Sequence, residues 1–314
     1  MNGVLIIDKP GGLTSHDVVN RARRILQQRS IGHLGTLDPM ATGVLPLVTG
    51  SLTRLAQFYT HAEKTYEGTV RFGFSTDTYD AEGEATSAAQ ELSLNPGEVE
   101  ALAAQFRGVI EQTPPPFSAK KIQGVPAYKL ARNHKEVVLK PVHVEIKEFE
   151  VLEVEKDRMR FRARVTSGTY LRSVAHEMGQ RLGCGAHLES LRRTAVAEFT
   201  IEEARTLEQV AEAGGQPSFD DLFVHPRKLL PELPAVMADE ANAARIRSGR
   251  TVNLPELSRA REVKVFCGQR DLIAIATRVA GTLFHPKIVF AVEPETCGTD
   301  LPFEKLRAGS VRRS

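Results

Sequence analysis

An apolar run, Val4-Leu5-Ile6-Ile7, opens the chain and breaks at Asp8-Lys9-Pro10-Gly11-Gly12, a pattern that predicts a short buried strand and a turn. Thr14-Ser15 then caps a helix in which Val18, Val19, Ala22, Ile25 and Leu26 share one face and Arg21, Arg24 and Gln28 another. From Thr65 to Gly73 the chain alternates, with Tyr66, Gly68, Val70 and Phe72 on one face of a half-buried strand, and an acidic loop follows from Thr76 to Gly83. Asn95-Pro96-Gly97-Glu98 supplies a cap, a first-turn proline and an N3 glutamate for a helix that buries Val99, Leu102, Ala103 and Phe106. The segment Thr113–Lys121 is extended by Pro114, Pro115 and Pro116, and composition leaves it open between a linker and a site loop. Val142, Val144 and Ile146 alternate as a strand, and so do Phe161, Ala163 and Val165. Arg160, Arg162 and Arg164 fall on the opposite face of the second, where they either meet phosphates or form a solvated surface. Leu171, Val174, Ala175, Met178 and Leu182 predict a helix stopped by Gly183, Leu188–Thr194 a strand, and Thr206 with Gln209 the capping box of a helix reaching Ala213.

The texture changes where Pro226, Pro231 and Pro234 cluster, which puts a domain boundary at 233/234. Beyond it the pattern predicts a helix over Glu240–Ser248 and strands at Glu262–Phe266, Leu272–Ala276 and Lys287–Ala291, a small β-rich module.

With 314 residues, 41% apolar and 25% charged, the composition is that of a globular protein with room for one large domain and a small one. The formal charge of +2 does not announce a polyanion partner, so distribution matters more than the sum. Residues 1–60 carry Lys9, Arg21, Arg23, Arg24, Arg29 and Arg54 against Asp8, Asp17 and Asp38, and the tail adds Lys305, Arg307, Arg312 and Arg313 against Glu304. These are either local basic surfaces or ordinary solvated faces. Cys184, Cys267 and Cys297 are odd in number and far apart, which predicts no disulfide framework and fits a reducing, cytoplasmic setting. The first apolar run lacks a basic leader, and no stretch approaches the roughly 18 apolar residues of a membrane helix. His176-Glu177 lacks the second histidine of a zinc-protease signature, and Gly183-Cys184-Gly185 lacks the third glycine of a dinucleotide loop.

The stretch Ile31–Pro46 carries the most chemistry. Gly32, Gly35 and Gly43 permit backbone angles closed to other residues, and Pro39 pushes Asp38 toward an extended conformation. Asp38 is a single carboxylate on a stiffened loop, with no second acid within seven residues. On spacing alone it either carries function or caps local amides in an Asx turn. Gly32-His33-x-Gly35-x-Leu37-Asp38-Pro39-x-Ala41-Thr42-Gly43-x-Leu45-Pro46 resembles the signature of bacterial tRNA pseudouridine-55 synthases. Asp8-Lys9-Pro10-x-Gly12-x-Thr14-Ser15 is similar to that family's opening motif, and the 65–83, 106–132 and 165–194 segments also match.

The resemblance implies an α+β fold, a mixed, largely antiparallel central sheet flanked by helices, over 1–233, and a PUA-like RNA-binding domain over 234–314. It implies isomerisation of the T-arm uridine at tRNA position 55, with Asp38 as nucleophile, Arg172 beside it and Tyr66 against the base. Lys9, His33, Asp80, Tyr170 and Leu191 join as substrate- or RNA-binding positions: His33 fills space vacated by the flipped base, Leu191 touches it, and Tyr170 packs near Arg172. The reaction exchanges an N1–C1′ for a C5–C1′ bond with no redox step, so no metal or organic cofactor is expected. Burial disfavours an ionised carboxylate and a neighbouring cation counters that, a role that suits an arginine. The expected partner is tRNA, with no membrane and no obligatory protein partner, and the protein a monomer. A guide-RNA-dependent ribosomal RNA relative and a non-catalytic RNA-folding factor are the alternatives.

Overall fold

The computed structural model describes residues 1–118, 120–122, 125–127, 139–214, 217–256 and 258–290. The chain divides into two compact units, Met1–Val224 and His225–Ser314, so Pro226 and Pro231 fall in the second unit.

In the first unit the elements run β1 (Gly3–Lys9), α1 (Ser15–Ile25), β2 (Ile31–His33), β3 (Thr42–Thr49), a 3₁₀ segment (Gly50–Phe58) and β4 (Lys64–Phe72). There follow α2 (Pro96–Ala104), β5 (Gly108–Gln112), a short hairpin of β6 (Lys121–Ile122) and β7 (Val125–Pro126), and the long strands β8 (Val142–Glu155) and β9 (Arg158–Val165). The unit continues with α3 (Leu171–Leu182), β10 (Ala186–Val196), β11 (Phe199–Thr200) and α4 (Leu207–Ala213). Among the described residues one sheet has the order β1-β3-β10-β4-β9-β8-β5, with β2 beside β3 and β11 beside β10. Every pairing in it is antiparallel except β3 with β10. This is the mixed, largely antiparallel sheet with flanking helices that the motifs imply.

Local signals account for the elements. Thr14 accepts from Asp17 N while Asp17 accepts from Thr14 N, a closed capping box at the start of α1, and Thr206 with Gln209 repeats it at α4. Asn95 caps α2, and Gly183 ends α3 at φ 75°. The buried faces of α1, α3 and the sheet meet in one core that includes Val18, Val19, Phe72, Phe106, Phe161, Val174 and Met178.

The register of β9 settles the arginine face. Arg160, Arg162 and Arg164 stand across from Thr69, Glu67 and Thr65 on β4 and from Glu153, Glu150 and Glu148 on β8. Arg160 binds Glu153 at 2.8 Å, Arg162 binds Glu67 at 2.8 Å, and Arg164 binds Glu148 at 2.6 Å and Glu63 at 3.0 Å. These guanidiniums are neutralised within the sheet, so the face is a solvated charge ladder. Each exposed pair contributes little stability by itself.

The second unit holds β12 (Ala235–Met237), α5 (Glu240–Arg247), β13 (Val252–Asn253), β14 (Glu262–Cys267), β15 (Asp271–Ala280) and β16 (Leu283–Val289). Its described strands form a sheet of order β12-β14-β15-β16-β13 around Val263, Val265, Ile273, Ala276 and Phe284. Cys184 is free. Cys297, the tail charges Glu304, Lys305, Arg307, Arg312 and Arg313, and the end of the expected 287–291 strand lie outside the described residues.

Candidate active site around Asp38

The stretch 31–46 enters as β2 and leaves as β3, paired antiparallel with His33 opposite Leu47. Leu34 N donates to Pro46 O at 2.9 Å and closes the base of the loop. The loop is then gripped from several sides. Ser15, the first residue of α1, accepts from Leu37 N at 2.8 Å, and Gly12 N donates to Pro39 O at 2.9 Å. Lys9 Nζ donates to Pro10 O, Leu13 O and Pro39 O at 2.8, 2.6 and 3.0 Å. Arg193 of β10, fully buried, donates from Nε to Val44 O at 2.8 Å and from its two Nη groups to Thr36 O at 3.2 Å and Gly35 O at 3.0 Å. Gly43 is the contact point of the parallel β3–β10 pair: at φ 99°, a Cβ there would lie 2.2 Å from Arg193 O.

Held in this way, Asp38 does not cap the loop. The hydrogen bond its carboxylate accepts comes from Arg172 across the cavity: Nη2 donates to Oδ1 at 3.1 Å, and Nε lies 2.9 Å from Oδ2 in an ion-pair contact. Arg172, the second residue of α3, is 4% exposed. Its guanidinium also donates to Thr78 O at 3.1 Å and Phe117 O at 3.0 Å, and Nη1 stands 3.4 Å from Asp80 Oδ2. Asp80 is buried and accepts from Thr78 Oγ1 at 2.6 Å and Glu82 N at 3.1 Å. The acidic loop therefore orients Arg172, which faces Asp38.

The pair opens into a cavity of about 510 Å³ whose lining includes His33, Asp38, Tyr66, Tyr170, Arg172 and Leu191. Tyr66 and Leu191 present buried apolar walls from neighbouring strands β4 and β10. Tyr170 is fixed by its backbone, which donates to Gln112 Oε1 at 2.8 Å and accepts from Gln112 Nε2 at 3.1 Å, and burial pushes its phenol up. His33 is pulled below the ordinary histidine range by burial and by Arg193, which favours the neutral ring.

Six of the eight expected positions thus meet in one cavity, and two do not. Lys9 and Asp80, expected at the RNA, are buried behind it with their polar atoms engaged inside the protein. Burial pulls the Lys9 ammonium down to about 8 against the opposite pull of Glu82 and Asp38. Lys9 reaches the Asp38 loop at Pro39 O, and Asp80 reaches Arg172. His176 packs with its ring stacked on Tyr79, centroids 3.8 Å apart. Ser15, Lys64 and Arg193 were missed. A polar residue on a helix's first turn, a lysine opening a strand and an arginine in a β run carry no local mark of a site.

Residues 23–171 match the model described as TruB family pseudouridylate synthase (N terminal domain), and residues 172–221 the tRNA pseudouridylate synthase B C-terminal domain. The chain is 50% identical over 292 residues to the tRNA pseudouridine synthase B of Solibacter usitatus, covering 92% of this chain and all of that one. It is 39% identical to that of an Azoarcus strain over 93% and 96% of the two chains. Among solved structures, a chain of an H/ACA ribonucleoprotein bound to a substrate RNA containing 2′-deoxyuridine superposes with a TM-score of 0.67 at 25% identity, covering 92% of this chain and 85% of that one. A chain of a Cbf5–Nop10–Gar1 complex does so with a TM-score of 0.65 at 26% identity, over 93% and 84%. With an intact aspartate loop facing a buried arginine and relatives of this length and identity, the chain belongs to the TruB family of pseudouridylate synthases.

Proposed function

We propose that the protein isomerises the T-arm uridine of tRNA, at tRNA position 55, to pseudouridine, with Asp38 as the nucleophile. The observation that carries this reading is the Asp38–Arg172 pair at the wall of a cavity lined by Tyr66 and Leu191. A uridine inside a folded T arm cannot present its glycosidic bond to a carboxylate, so the target nucleotide leaves its stack and enters the cavity. The Tyr66 ring and the Leu191 side chain take the faces of the base, and His33 stands on the same lining. Arg172, anchored by Asp80, Thr78 O and Phe117 O, holds the carboxylate in one orientation toward the nucleotide. During turnover the N1–C1′ bond breaks and C5 bonds to C1′; the C5 proton is lost and N1 takes one up, so no atom is gained or lost. The Tyr66 phenol relays that proton.

The 234–314 segment, which lies in the His225–Ser314 unit, is read as the PUA-like RNA-binding domain, and the protein as a cytoplasmic monomer acting without an obligatory protein partner. No helix among the described residues is long and apolar enough to cross a membrane. A guide-dependent reading is favoured by the ribonucleoprotein neighbours in fold, but their 25–26% identity stands against 50% for a tRNA pseudouridine synthase. The test is a pseudouridine map of unmodified tRNA transcript incubated with the purified protein alone, read by carbodiimide-dependent reverse-transcription stops. One new stop at the T-arm uridine, lost in Asp38→Asn while tRNA binding persists, is the expected result. Binding without a stop moves the reading to a guide-dependent or chaperone role, and near-normal turnover by Asp38→Asn rejects the nucleophile.

A further inference from the structure

Asp38, Arg172 and Lys64 are the aspartate, arginine and lysine on the cavity lining. Asp38 and Arg172 neutralise one another, and Arg172 has Asp80 as a second counter-ion. Lys64, the first residue of β4, is left over. Among the described residues its ammonium donates one hydrogen bond, to Ala62 O at 2.7 Å, although an ammonium carries three donors. Its stem lies over Gly35: a Cβ built there would sit 3.3 Å from Lys64 Cε and 3.6 Å from Arg193 Nη1. Two cations therefore converge on one glycine of the Asp38 loop, and among the described residues Arg193 donates there to main-chain carbonyls. Burial and the Arg193 charge pull Lys64 down to about 8, and no carboxylate among the described residues offsets them. An uncompensated positive centre in a substrate cavity is an anion site waiting for its anion.

A uridine inside an RNA strand brings two anions with it, the phosphodiesters on its 5′ and 3′ sides. We propose that Lys64 is the phosphate subsite of the cavity, binding one of the two phosphodiesters that flank the flipped nucleotide while the base lies between Tyr66 and Leu191. This assignment rests on the uridine-isomerising reading of the same cavity. It explains why the lysine opens β4 two residues before Tyr66. On a strand, positions two apart face the same side, so one element presents both a grip for the backbone and a platform for the base. The phosphate supplies the missing counter-charge, so binding draws a proton onto Lys64 above pH 8.

The test uses synthetic T-arm stem-loops in which either flanking phosphodiester is replaced by an uncharged methylphosphonate, each against a matched phosphodiester control. Wild type is expected to lose roughly tenfold in KM on one of the two, with kcat little changed. Lys64→Met is expected to lose as much on the phosphodiester RNA and nothing further on that methylphosphonate. Its log–log salt slope should be shallower by about 0.7, one single-strand phosphate contact, and Lys64→Arg should restore most of the loss. Additive losses from the variant and the methylphosphonate overturn the assignment. So does a wild type indifferent to both methylphosphonates, a result that stands whether or not Lys64→Met folds. Pseudouridine is scored in the same tubes: its absence with wild type on phosphodiester RNA rejects the uridine-isomerising reading, while its presence with additive losses rejects the Lys64 subsite alone.

Discussion

Replacing Arg172 by Met separates what the arginine does for the fold from what it does for Asp38. The guanidinium gives hydrogen bonds to Thr78 O, Phe117 O and Asp38 Oδ1 and faces two carboxylates. Those carboxylates differ in their access to water. The Asp38 side chain is 34% exposed and can be hydrated once the arginine is gone, whereas that of Asp80 is 5% exposed and cannot. The stability loss therefore comes mainly from Asp80, left as a buried charge with Thr78 Oγ1 and Glu82 N as its donors. Removing one partner of a buried pair costs about 3–5 kcal/mol. For a unit of this size that is a fall in Tm of roughly 6–20 °C. Adding Asp80→Asn removes the orphaned charge and keeps the Oδ1 acceptor, so Arg172→Met/Asp80→Asn should regain about half of the loss. Activity should not return, because Asp38 still lacks its ion-pair partner. Thermal unfolding and the pseudouridine assay, run on wild type, Arg172→Met, Asp80→Asn and the double variant, read both quantities. A double variant no more stable than Arg172→Met would refute the burial argument, and a double variant that recovers turnover would refute the role of the cation beside Asp38.

Three further perturbations probe the frame. Arg193→Met leaves Gly35 O, Thr36 O and Val44 O without their donor at about 1–3 kcal/mol each; kcat should fall more than KM rises, and Arg193→Lys should recover part of the loss. Gly43→Ala forces a side chain to φ 99° and into Arg193 O, so a loss of about 3–5 kcal/mol is expected in chemical denaturation, and an unchanged midpoint would contradict the close β3–β10 approach. His187 is buried, with Nδ1 3.2 Å from Phe74 O, and burial holds it below the ordinary histidine range. The unfolded chain then binds its proton first, so the contribution of His187 is full above the ordinary histidine range and is lost as pH falls through its lower folded value. His187→Gln should flatten the fall in Tm as pH drops below about 6.5, and an unchanged slope would exclude this histidine as its source.

The elements were legible because their signals are local. The capping boxes at Thr14 and Thr206, the cap at Asn95, the stop at Gly183 and the alternation on β4, β8 and β9 are each written within a few residues. Asp38 was legible for a different reason: a long fixed pattern of glycine and proline surrounds it. Where the sequence left two readings open, distant residues chose between them. The β9 arginines are a solvated ladder because the register sets glutamates of β4 and β8 within reach of them. Asp38 is an ion-pair partner because α3 places Arg172 across the cavity.

The sequence by itself determined the helices and strands, the change in texture ahead of the C-terminal β-rich module, and the loop that bears Asp38. Only the tertiary structure decided which polar groups serve that loop. Lys9 and Asp80 carry the right chemistry for contact with RNA, but burial turns one into a clamp on Pro39 O and the other into an anchor for Arg172. Ser15, Lys64 and Arg193 reach the site over separations of 22 to 158 residues. Their roles follow from where the sheet order and the parallel β3–β10 contact bring them, and in a folded chain the charge a group meets is set by its neighbours in space.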